Sequence, residues 1–363
     1  MADKFYQRIK DSRGIKYRCP DVQMVYNSMD IPVSSLSTRG KSTLNYTKKS
    51  FTLKLDKNID LNNTRRWVSV KDCYLLGLTM DRNYIRNYFA FTLMDVLDLF
   101  KLAFSYCEVV INDETQGIYM ITERPRDYAL KTVNSPAIIR RGYKGKIDKM
   151  VINKNSPHNS NRFYGRKFNR IYTHGRKYSG RELYDSLDSQ IDMDQYMRWL
   201  AFNYLSRNGD YTDEIYLYID PTDDRFRIIP WDYDDVFARQ PHEGNESRRS
   251  VPGGKFIFSS EDLLDRVIIT DEYLYDKYLE QLIDVIEILN DTTLRVLIHD
   301  AYCAVYPYYL DGEIMETTLH DRFGSTNLAE LNTTLLNMLS QFRRIRNSTH
   351  LELIDIMDHS PPP

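Results

Sequence analysis

The fold is decided by the stretch Ile229-Pro230-Trp231-Asp232-Tyr233-Asp234, which closes a short acidic hairpin. Strands are predicted over 215–219 and 226–229 from their β-branched and aromatic residues, with Asp-Pro-Thr-Asp-Asp as the turn between them. In an extended segment after the second strand, Asp232 and Asp234 point the same way and can share one hard cation such as Mg²⁺. A carboxylate cluster that caps a turn explains the same local pattern equally well.

A further carboxylate, Asp210, lies upstream of this hairpin and follows an amphipathic helix predicted over 192–207. Gly209 is the predicted helix terminator, so Asp210 begins a loop held by rigid elements. A general base for a hydroxyl nucleophile needs such a position, and the hairpin can return the chain so that Asp210 and Asp232 share one cleft. Gly-Asp is also ordinary turn chemistry, so this signal alone is weak.

The rest of the chain predicts an α+β protein with a β-rich first part and a mainly helical second part. Strands are predicted over 22–26, 33–37, 51–55, 106–111 and 117–121, with one helix that Asp81 caps and that ends near Leu99. Further helices are predicted over 271–289, 293–310 and 327–347. The predicted domains are a β-rich N-lobe with one helix (1–135), a basic insertion or linker (136–185) and a helical C-lobe with the acidic hairpin (186–358).

A donor-rich turn, Ser37-Thr38-Arg39-Gly40-Lys41-Ser42-Thr43, precedes Lys48, Lys49 and the strand over 51–55. Backbone N–H groups of a glycine-containing turn beside Lys and Arg suit an anion, so phosphate binding is one interpretation. An exposed basic hairpin is the other. The spacing around Gly40 is not that of a Walker A motif, so a P-loop fold is not expected.

Charge is distributed unevenly along the chain. The 49 Lys and Arg against 51 Asp and Glu give a net charge of −2, which excludes the strongly basic balance of a dedicated nucleic-acid binder. The segment 140–181 carries 13 Lys and Arg against one acidic residue, Asp148, so the remaining residues sum to −14. This segment is interpreted either as a solvated, partly mobile insertion or as a surface that recognises an acidic protein or peptide. A nucleic-acid partner ranks lower, because the acidic cluster repels phosphates.

Neither a signal peptide nor a membrane-spanning helix is expected. Residues 1–20 lack an apolar core, and the apolar stretch Phe89–Phe100 is interrupted by Asp95 and Asp98. The four cysteines are scattered without a CxxC pair, which argues against a disulfide framework or a zinc knuckle. The sequence therefore predicts a cytoplasmic protein with no membrane partner.

Taken in order, these segments resemble the kinase family named after spore coat protein H (CotH). The resemblance covers about residues 20–350. Its N-terminal landmarks are Arg39-Gly40-Lys41-Ser42, Lys48–Leu55, Leu76-Gly77 with Asp81, Ile85-Arg86-Asn87, Val110-Ile111-Asn112 and Gly117–Glu123. The more specific landmarks are Asn208-Gly209-Asp210, Tyr216-Leu217-Tyr218 and the Pro-Trp-Asp-x-Asp element at 230–234.

The resemblance implies an atypical protein-kinase-like fold with a β-rich N-lobe, a mainly helical C-lobe, and ATP with Mg²⁺ in the cleft between them. In this fold Asp210 orients or deprotonates the nucleophile. Asp232 is implied as the residue that holds Mg²⁺, with Asp234 as a second ligand or its support.

The resemblance also implies residues that contact the nucleotide. Lys49 or its neighbour Lys48 is implied to contact phosphates, and Arg39 assists. Glu123 is implied to lie near the adenine or the hinge between the lobes. Arg141 stands on a strand where the family tends to have a Lys, and it is implied as a phosphate contact that cannot be deprotonated.

The function implied is an ATP- and Mg²⁺-dependent phosphotransferase acting on Ser or Thr hydroxyls of a protein or peptide. One alternative is an ATP-dependent enzyme that cyclises, ligates or dehydrates a peptide, because fold does not fix the reaction. Another is a nucleotide-binding pseudokinase, since Asp213-Glu214 occupies the place where the family usually has amide residues.

Overall fold

A computed structural model of the chain describes residues 3–19, 22–62, 67–174, 177–208, 211–237, 254–259, 261–317 and 324–359. Most strands in this part of the chain lie in its first half, and most helices follow them. The predicted α+β class, with a β-rich region before a helical one, is confirmed.

The strands of the described residues are β1 (Arg18–Cys19), β2 (Gln23–Tyr26), β3 (Met29–Arg39), β4 (Ser50–Asn62), β5 (Trp67–Leu76), β6 (Phe104–Ile111), β7 (Glu114–Glu123), β8 (Ala137–Arg141), β9 (Ile147–Ile152), β10 (Ile215–Ile219) and β11 (Phe226–Pro230). The predicted strands over 22–26, 33–37, 51–55, 106–111, 117–121, 215–219 and 226–229 all fall on these elements. The strand implied at Arg141 is β8, whereas the sequence analysis missed β1, β5 and β9.

The helices of the same residues are α1 (Asp3–Asp11), α2 (Arg86–Val96), α3 (Pro125–Asp127), α4 (Asn161–His174), α5 (Gly180–Asp188), α6 (Met193–Ser206), α7 (Leu263–Thr270), α8 (Glu272–Ile288), α9 (Asp291–Tyr309), α10 (Gly312–Thr317) and α11 (Leu328–His359). All five predicted helices are confirmed, as α2, α6, α8, α9 and α11. In the described part of the chain, none of them combines the length and the apolar character needed to cross a lipid bilayer.

The chain divides into two compact units. The first consists of 1–89, 102–127 and 298–336, and the second of 90–101, 128–297 and 337–363. Within the first unit, Asn83 joins parts that are distant in sequence: its amide donates to the Thr334 hydroxyl at 2.6 Å, and its carbonyl accepts from the Tyr309 hydroxyl at 3.0 Å. The predicted domain boundaries at 135 and 185 stay a prediction.

The first unit is built on an antiparallel sheet. Its strand order in the described residues is β1-β3-β4-β5-β7-β6, and β2 pairs with β3 outside this path. Along β4, alternate side chains enter the core: Phe51, Leu53 and Leu55 are almost fully buried, as the two-residue period of a half-buried strand requires. Asp81 precedes α2 and accepts from the backbone N–H of Arg86 at 2.6 Å, which confirms its predicted capping role.

The second unit contains an antiparallel sheet with the order β11-β10-β8-β9. Strand β9 and helix α4 lie within the segment 140–181 and β8 ends in it, so the interpretation of that segment as a solvated, partly mobile insertion is wrong. Ile138 and Ile139 of β8 are buried, and a cluster of buried side chains on α4 faces inward. The charges concealed this pattern because they lie on the opposite face of the same helix.

The helix before Asp210 ends differently from the prediction. Asp192 caps the start of α6 by accepting from the Gln195 N–H at 2.9 Å. The helix ends at Ser206, where Arg207 takes the left-handed conformation with φ of 50°. Arg207 therefore terminates the helix, and the assignment of Gly209 as terminator is wrong; Gly209 and Asp210 lie outside the described residues.

Gly145 provides a test of packing in the second unit. It lies between β8 and β9 with φ of +71°, and a Cβ there meets the Tyr172 ring at 2.4 Å. We expect Gly145→Ala to lower the free energy of unfolding by about 3 kcal/mol, combining left-handed strain with overpacking. Gly180→Ala is the matched control, because Gly180 has φ of +60° but nothing within 4 Å. Urea unfolding of both variants measures the difference, and equal losses contradict this packing.

Candidate functional site

The acidic segment 231–235 is held by two buried aromatic side chains. Trp231 and Tyr233 are buried, and the Tyr233 hydroxyl accepts from the Trp199 indole N–H at 2.8 Å. Between them, Asp232 is exposed and Asp234 is half-buried. Buried and accessible residues thus alternate along this segment. The aromatic residues anchor it in the core, and the two candidate metal ligands reach solvent.

The backbone at Asp232 is not extended. The strand β11 ends at Pro230, and Asp232 has φ of 64°, in the left-handed region. The prediction of an extended backbone through Asp232 and Asp234 is therefore wrong. A left-handed residue other than glycine costs about 1 kcal/mol, and such conformations concentrate at functional sites.

Hydrogen bonds tie the acidic segment to both flanks of Asp210. On the upstream side, the Phe237 N–H donates to the Ser206 carbonyl at 3.1 Å, and the Tyr233 hydroxyl accepts from Trp199 of the same helix, α6. On the downstream side, the Trp231 N–H donates to the Glu214 carbonyl at 2.9 Å. The described residues on either side of Asp210 are thus fixed to the segment that carries Asp232 and Asp234.

Arg141 holds the chain just after Asp210. Its side chain is fully buried, and its Nε donates to the Thr212 carbonyl at 2.8 Å. Its Nη1 donates to the Tyr196 hydroxyl at 2.5 Å and lies 3.6 Å from the Asp262 carboxylate. The guanidinium therefore braces this part of the chain, with its Nη2 left without a hydrogen-bond partner among the described residues, and the implied contact of Arg141 with phosphate stays a prediction.

The surroundings of Arg141 contain two buried carboxylates. Asp262 also caps α7, and Asp265 accepts from the Tyr196 hydroxyl at 2.5 Å. Burial is the largest single influence and lowers the pKa of Arg141, but the neighbouring charges together, Asp262 first among them, outweigh it, and the pKa stands well above its usual value. Burial raises the pKa of Asp265, and the Asp262 charge raises it further, which favours protonated Asp265 beside the Arg141–Asp262 ion pair.

Glu214 stands where the resemblance implies an amide that helps to hold metal. Both of its carboxylate oxygens accept from Arg140, at 2.7 and 2.8 Å. The same nitrogen, Nη2 of Arg140, donates to both oxygens, so the Glu214 carboxylate is already engaged in an ion pair within the protein. Among the described residues, which exclude Asp210, no three acidic, histidine or cysteine side chains converge on a preformed metal site.

The donor chemistry of the acidic segment nevertheless fits Mg²⁺. This ion takes one or two protein carboxylates and completes its coordination with water and substrate phosphates. Asp232 and Asp234 offer two carboxylates that are accessible and carried on an anchored segment. A site of this kind needs no third protein ligand.

The first unit carries the candidate phosphate contacts, and the structure distinguishes Lys49 from Lys48. Lys49 is buried, and its ammonium donates to the carbonyls of Ser12, Leu44 and Tyr46 at 2.7, 2.8 and 2.5 Å. Three carbonyls use all three of its donors. Lys49 therefore ties together the backbone around it, and its implied contact with phosphate stays a prediction.

Lys48 is the other lysine implied to contact phosphate. Its side chain is half-buried, and its Nζ donates to the Ile118 carbonyl at 2.6 Å. The same ammonium lies 4.6 and 4.7 Å from the ring centroids of Tyr84 and Tyr119. Desolvation lowers the pKa of Lys48 to about 7, so its charge changes near neutral pH.

Arg39 and Gly40 form the turn at the end of β3. The Arg39 guanidinium lies 4.0 Å from the Tyr74 ring centroid. Gly40 has φ of +115°, and a Cβ there meets the Thr43 hydroxyl at 1.9 Å. This glycine is therefore required by the backbone of the turn, whatever the turn binds.

Glu123 lies at the end of β7 and is buried, with its backbone N–H donating to the Ala103 carbonyl at 2.9 Å. The next residue, Arg124, forms buried ion pairs with Asp72 at 2.6 Å and with Asp127. These pairs fix the chain on the C-terminal side of Glu123. The implied contact of Glu123 with the nucleotide stays a prediction.

Sequence reasoning missed the residues that support the acidic segment. Tyr196, Asp262 and Asp265 surround Arg141 but lie 55 to 124 positions from it in the sequence. No local spacing joins them. The helical periodicity of α6 predicts that the face around Trp199 is buried. It does not indicate which hydroxyls and carboxylates meet that face.

Comparison with known proteins gives a family and, among solved structures, weak similarity. A family model described as CotH kinase protein matches residues 36–344. No curated protein matches the sequence significantly. Among solved structures, the chain is similar to the Shewanella oneidensis MR-1 toxin–antitoxin complex of HipA, HipB and operator DNA. The identity is 13%, the TM-score is 0.34, and the alignment covers 99% of this chain and 73% of that chain. That TM-score is too low to support an argument about this chain.

The two neighbouring lysines provide a paired test. We expect Lys49→Met to lower the free energy of unfolding by about 3 kcal/mol, because buried carbonyls lose their donor. Lys48→Met should change stability by less than about 1 kcal/mol, since burial already disfavours its charge, and should weaken nucleotide binding instead. Thermal unfolding and nucleotide titration separate the two effects. Nucleotide binding that is intact in Lys48→Met rules out this assignment of Lys48.

Proposed function

Because this chain belongs to the CotH kinase protein family, we propose that it is an ATP- and Mg²⁺-dependent phosphotransferase whose acceptor is a Ser or Thr hydroxyl of a protein or peptide. The observation that carries the proposal is the network that fixes both flanks of Asp210 to the segment of Asp232 and Asp234. A phosphoryl-transfer site needs a positioned base and metal-binding carboxylates on a rigid support.

In the proposed reaction, Asp210 orients the acceptor hydroxyl and takes its proton. The hydroxyl oxygen forms a bond to the γ-phosphorus, and the bond between that phosphorus and the β–γ bridging oxygen breaks, releasing ADP. Asp232 and Asp234 are the residues that would hold Mg²⁺. The ion, when bound, neutralises negative charge on the phosphates.

Positioning is the main contribution that the rest of this unit makes to the proposed chemistry. Arg141 holds the Thr212 carbonyl, and Tyr211 is buried with its hydroxyl donating to the Ser259 carbonyl at 3.0 Å. These two anchors begin immediately after Asp210. Loops that carry a base need such supports, because small displacements of a catalytic group lower the rate strongly.

Two other outcomes remain for the same family. Glu214 stands where the family usually has an amide residue that helps to hold metal, and its carboxylate is engaged by Arg140. This arrangement favours a site with fewer protein ligands for the metal, or a nucleotide-binding pseudokinase. The other alternative is an ATP-consuming enzyme that cyclises, ligates or dehydrates a peptide, so that the peptide does not gain the mass of one phosphate.

We place the protein in the cytoplasm, a location that its four free cysteines support.

The decisive experiment follows ATP loss and peptide mass together, with ATP, Mg²⁺ and candidate peptides from neighbouring genes. We expect a mass gain of one phosphate that Asp210→Asn and Asp232→Asn each reduce by about 100-fold or more. Asp224→Asn is the matched control, because Asp224 is also left-handed with φ of 59° but lies in the hairpin turn. Loss of water from the peptide indicates the peptide-modifying alternative, and failure to bind nucleotide indicates the pseudokinase or a non-nucleotide role.

The lowered pKa of Lys48 predicts a pH dependence of nucleotide binding. Above a pH of about 7 the free protein holds Lys48 neutral, so its attraction for phosphate is lost as the pH rises. We expect the dissociation constant for ATP to rise about tenfold between pH 7 and 9, whereas Lys48→Arg, which stays charged, removes this rise. Calorimetric titration at both pH values measures the effect. If the dissociation constant of Lys48→Arg rises by the same factor, the pH dependence comes from a group other than Lys48.

A further inference from the structure

One face of α4 carries a row of arginines. Arg162, Arg166 and Arg170 are exposed and follow one another at four-residue intervals, which places them on one side of the helix. Successive members rise by about 6 Å along the helix axis, so the row is about 12 Å long. Phe168 and Ile171, on the opposite side, are buried in the second unit.

A basic turn packs beside the last turn of this helix. Gly145 lies against the Tyr172 ring so closely that a Cβ would be 2.4 Å from it. On either side of Gly145, Lys144 and Lys146 are exposed. We call the resulting surface the basic face; it consists of Lys144, Lys146, Arg162, Arg166 and Arg170.

The cations of the basic face differ from the other basic residues of the same segment. Arg140 is paired with Glu214, and Lys167 is paired with Asp224 at 2.8 Å. In contrast, no acidic side chain of the described residues lies within ion-pair distance of the five members of the basic face. Asp148, the acidic residue of this segment, lies 3.7 Å from Arg140.

An unneutralised row of like charges is unfavourable for the helix itself, because arginines at four-residue spacing repel one another. The same arrangement attracts an anionic partner and can orient it. We propose that the basic face binds an acidic peptide in an extended conformation. Given the function proposed above, this peptide is the one that carries the acceptor hydroxyl.

The spacing of the row suits that partner. In an extended peptide, every second side chain lies on the same side and about 6.6 Å further along, close to the rise between successive arginines. Each guanidinium can bind a carboxylate through two parallel hydrogen bonds. Phe163 is 39% exposed at the start of the row, with the His158 ring 3.9 Å from its own, and offers an apolar contact.

Charge elsewhere favours a short acidic peptide over nucleic acid. The residues outside 140–181 carry a net charge of −14, which repels a long polyanion that extends beyond the basic face. A short peptide remains within the surface that attracts it. The test must therefore distinguish binding of an acidic peptide from binding of nucleic acid.

The test measures anisotropy of a fluorescent peptide of alternating Glu and Ser with the full chain at low salt. We expect the triple variant Arg162→Glu, Arg166→Glu, Arg170→Glu to weaken binding at least about tenfold and to flatten its salt dependence. The matched control is Lys54→Glu, Lys57→Glu, Lys71→Glu, three exposed lysines of the first unit with the same change in charge. The control should bind the peptide as the unaltered protein does.

Three results overturn the proposal: equal weakening by both triple variants, equal binding of the matching Gln and Ser peptide, or tighter binding of a short DNA duplex that depends on the same arginines. Nucleotide binding separates this proposal from the kinase proposal. If the peptide binds through the basic face while the unaltered protein binds no ATP, the docking surface stands and the phosphotransferase function fails. If the protein binds ATP but not the peptide, the proposed docking surface fails, whereas the phosphotransferase proposal is not contradicted.

Discussion

The buried guanidinium of Arg141 is the contact on which the candidate site depends most. Arg141 is the last residue of β8. Its guanidinium donates to the Thr212 carbonyl just after Asp210 and pairs with Asp262 at the start of α7. Removing one partner of a buried charge pair leaves an uncompensated charge, so each element restrains the others. The chain after Asp210 is thus fixed by charge and hydrogen bonds in the interior.

Aromatic side chains complete this support on the other side of the site. Trp231 and Tyr233 enter the core and leave Asp232 and Asp234 accessible, and Tyr233 also meets Trp199 of α6. In the first unit, Lys49 plays a comparable part by binding three backbone carbonyls. In both units, a buried cation beside the candidate functional groups binds backbone carbonyls: Arg141 in the second unit and Lys49 in the first.

The sequence alone indicated most elements because hydrophobic periodicity is local. The hairpin of β10 and β11 and the helices α6 and α8 were predicted at nearly their observed bounds. Where charge dominates the composition, the same reasoning failed. The composition of the segment 140–181 is typical of a solvated insertion, yet α4 within it buries apolar residues behind an exposed row of arginines.

The sequence by itself therefore determined the α+β class, the order of the elements and the family landmarks that point to Asp210, Asp232 and Asp234. Tertiary structure alone decided the surroundings of each basic residue: Lys49 binds three backbone carbonyls, Arg141 is buried beside Asp262, Lys48 is half-buried beside two tyrosine rings, and the arginines of α4 stay exposed. The physical reason is that a charged side chain takes its role from its partners and its burial. Those partners come from segments far apart in the chain, so no local pattern records them.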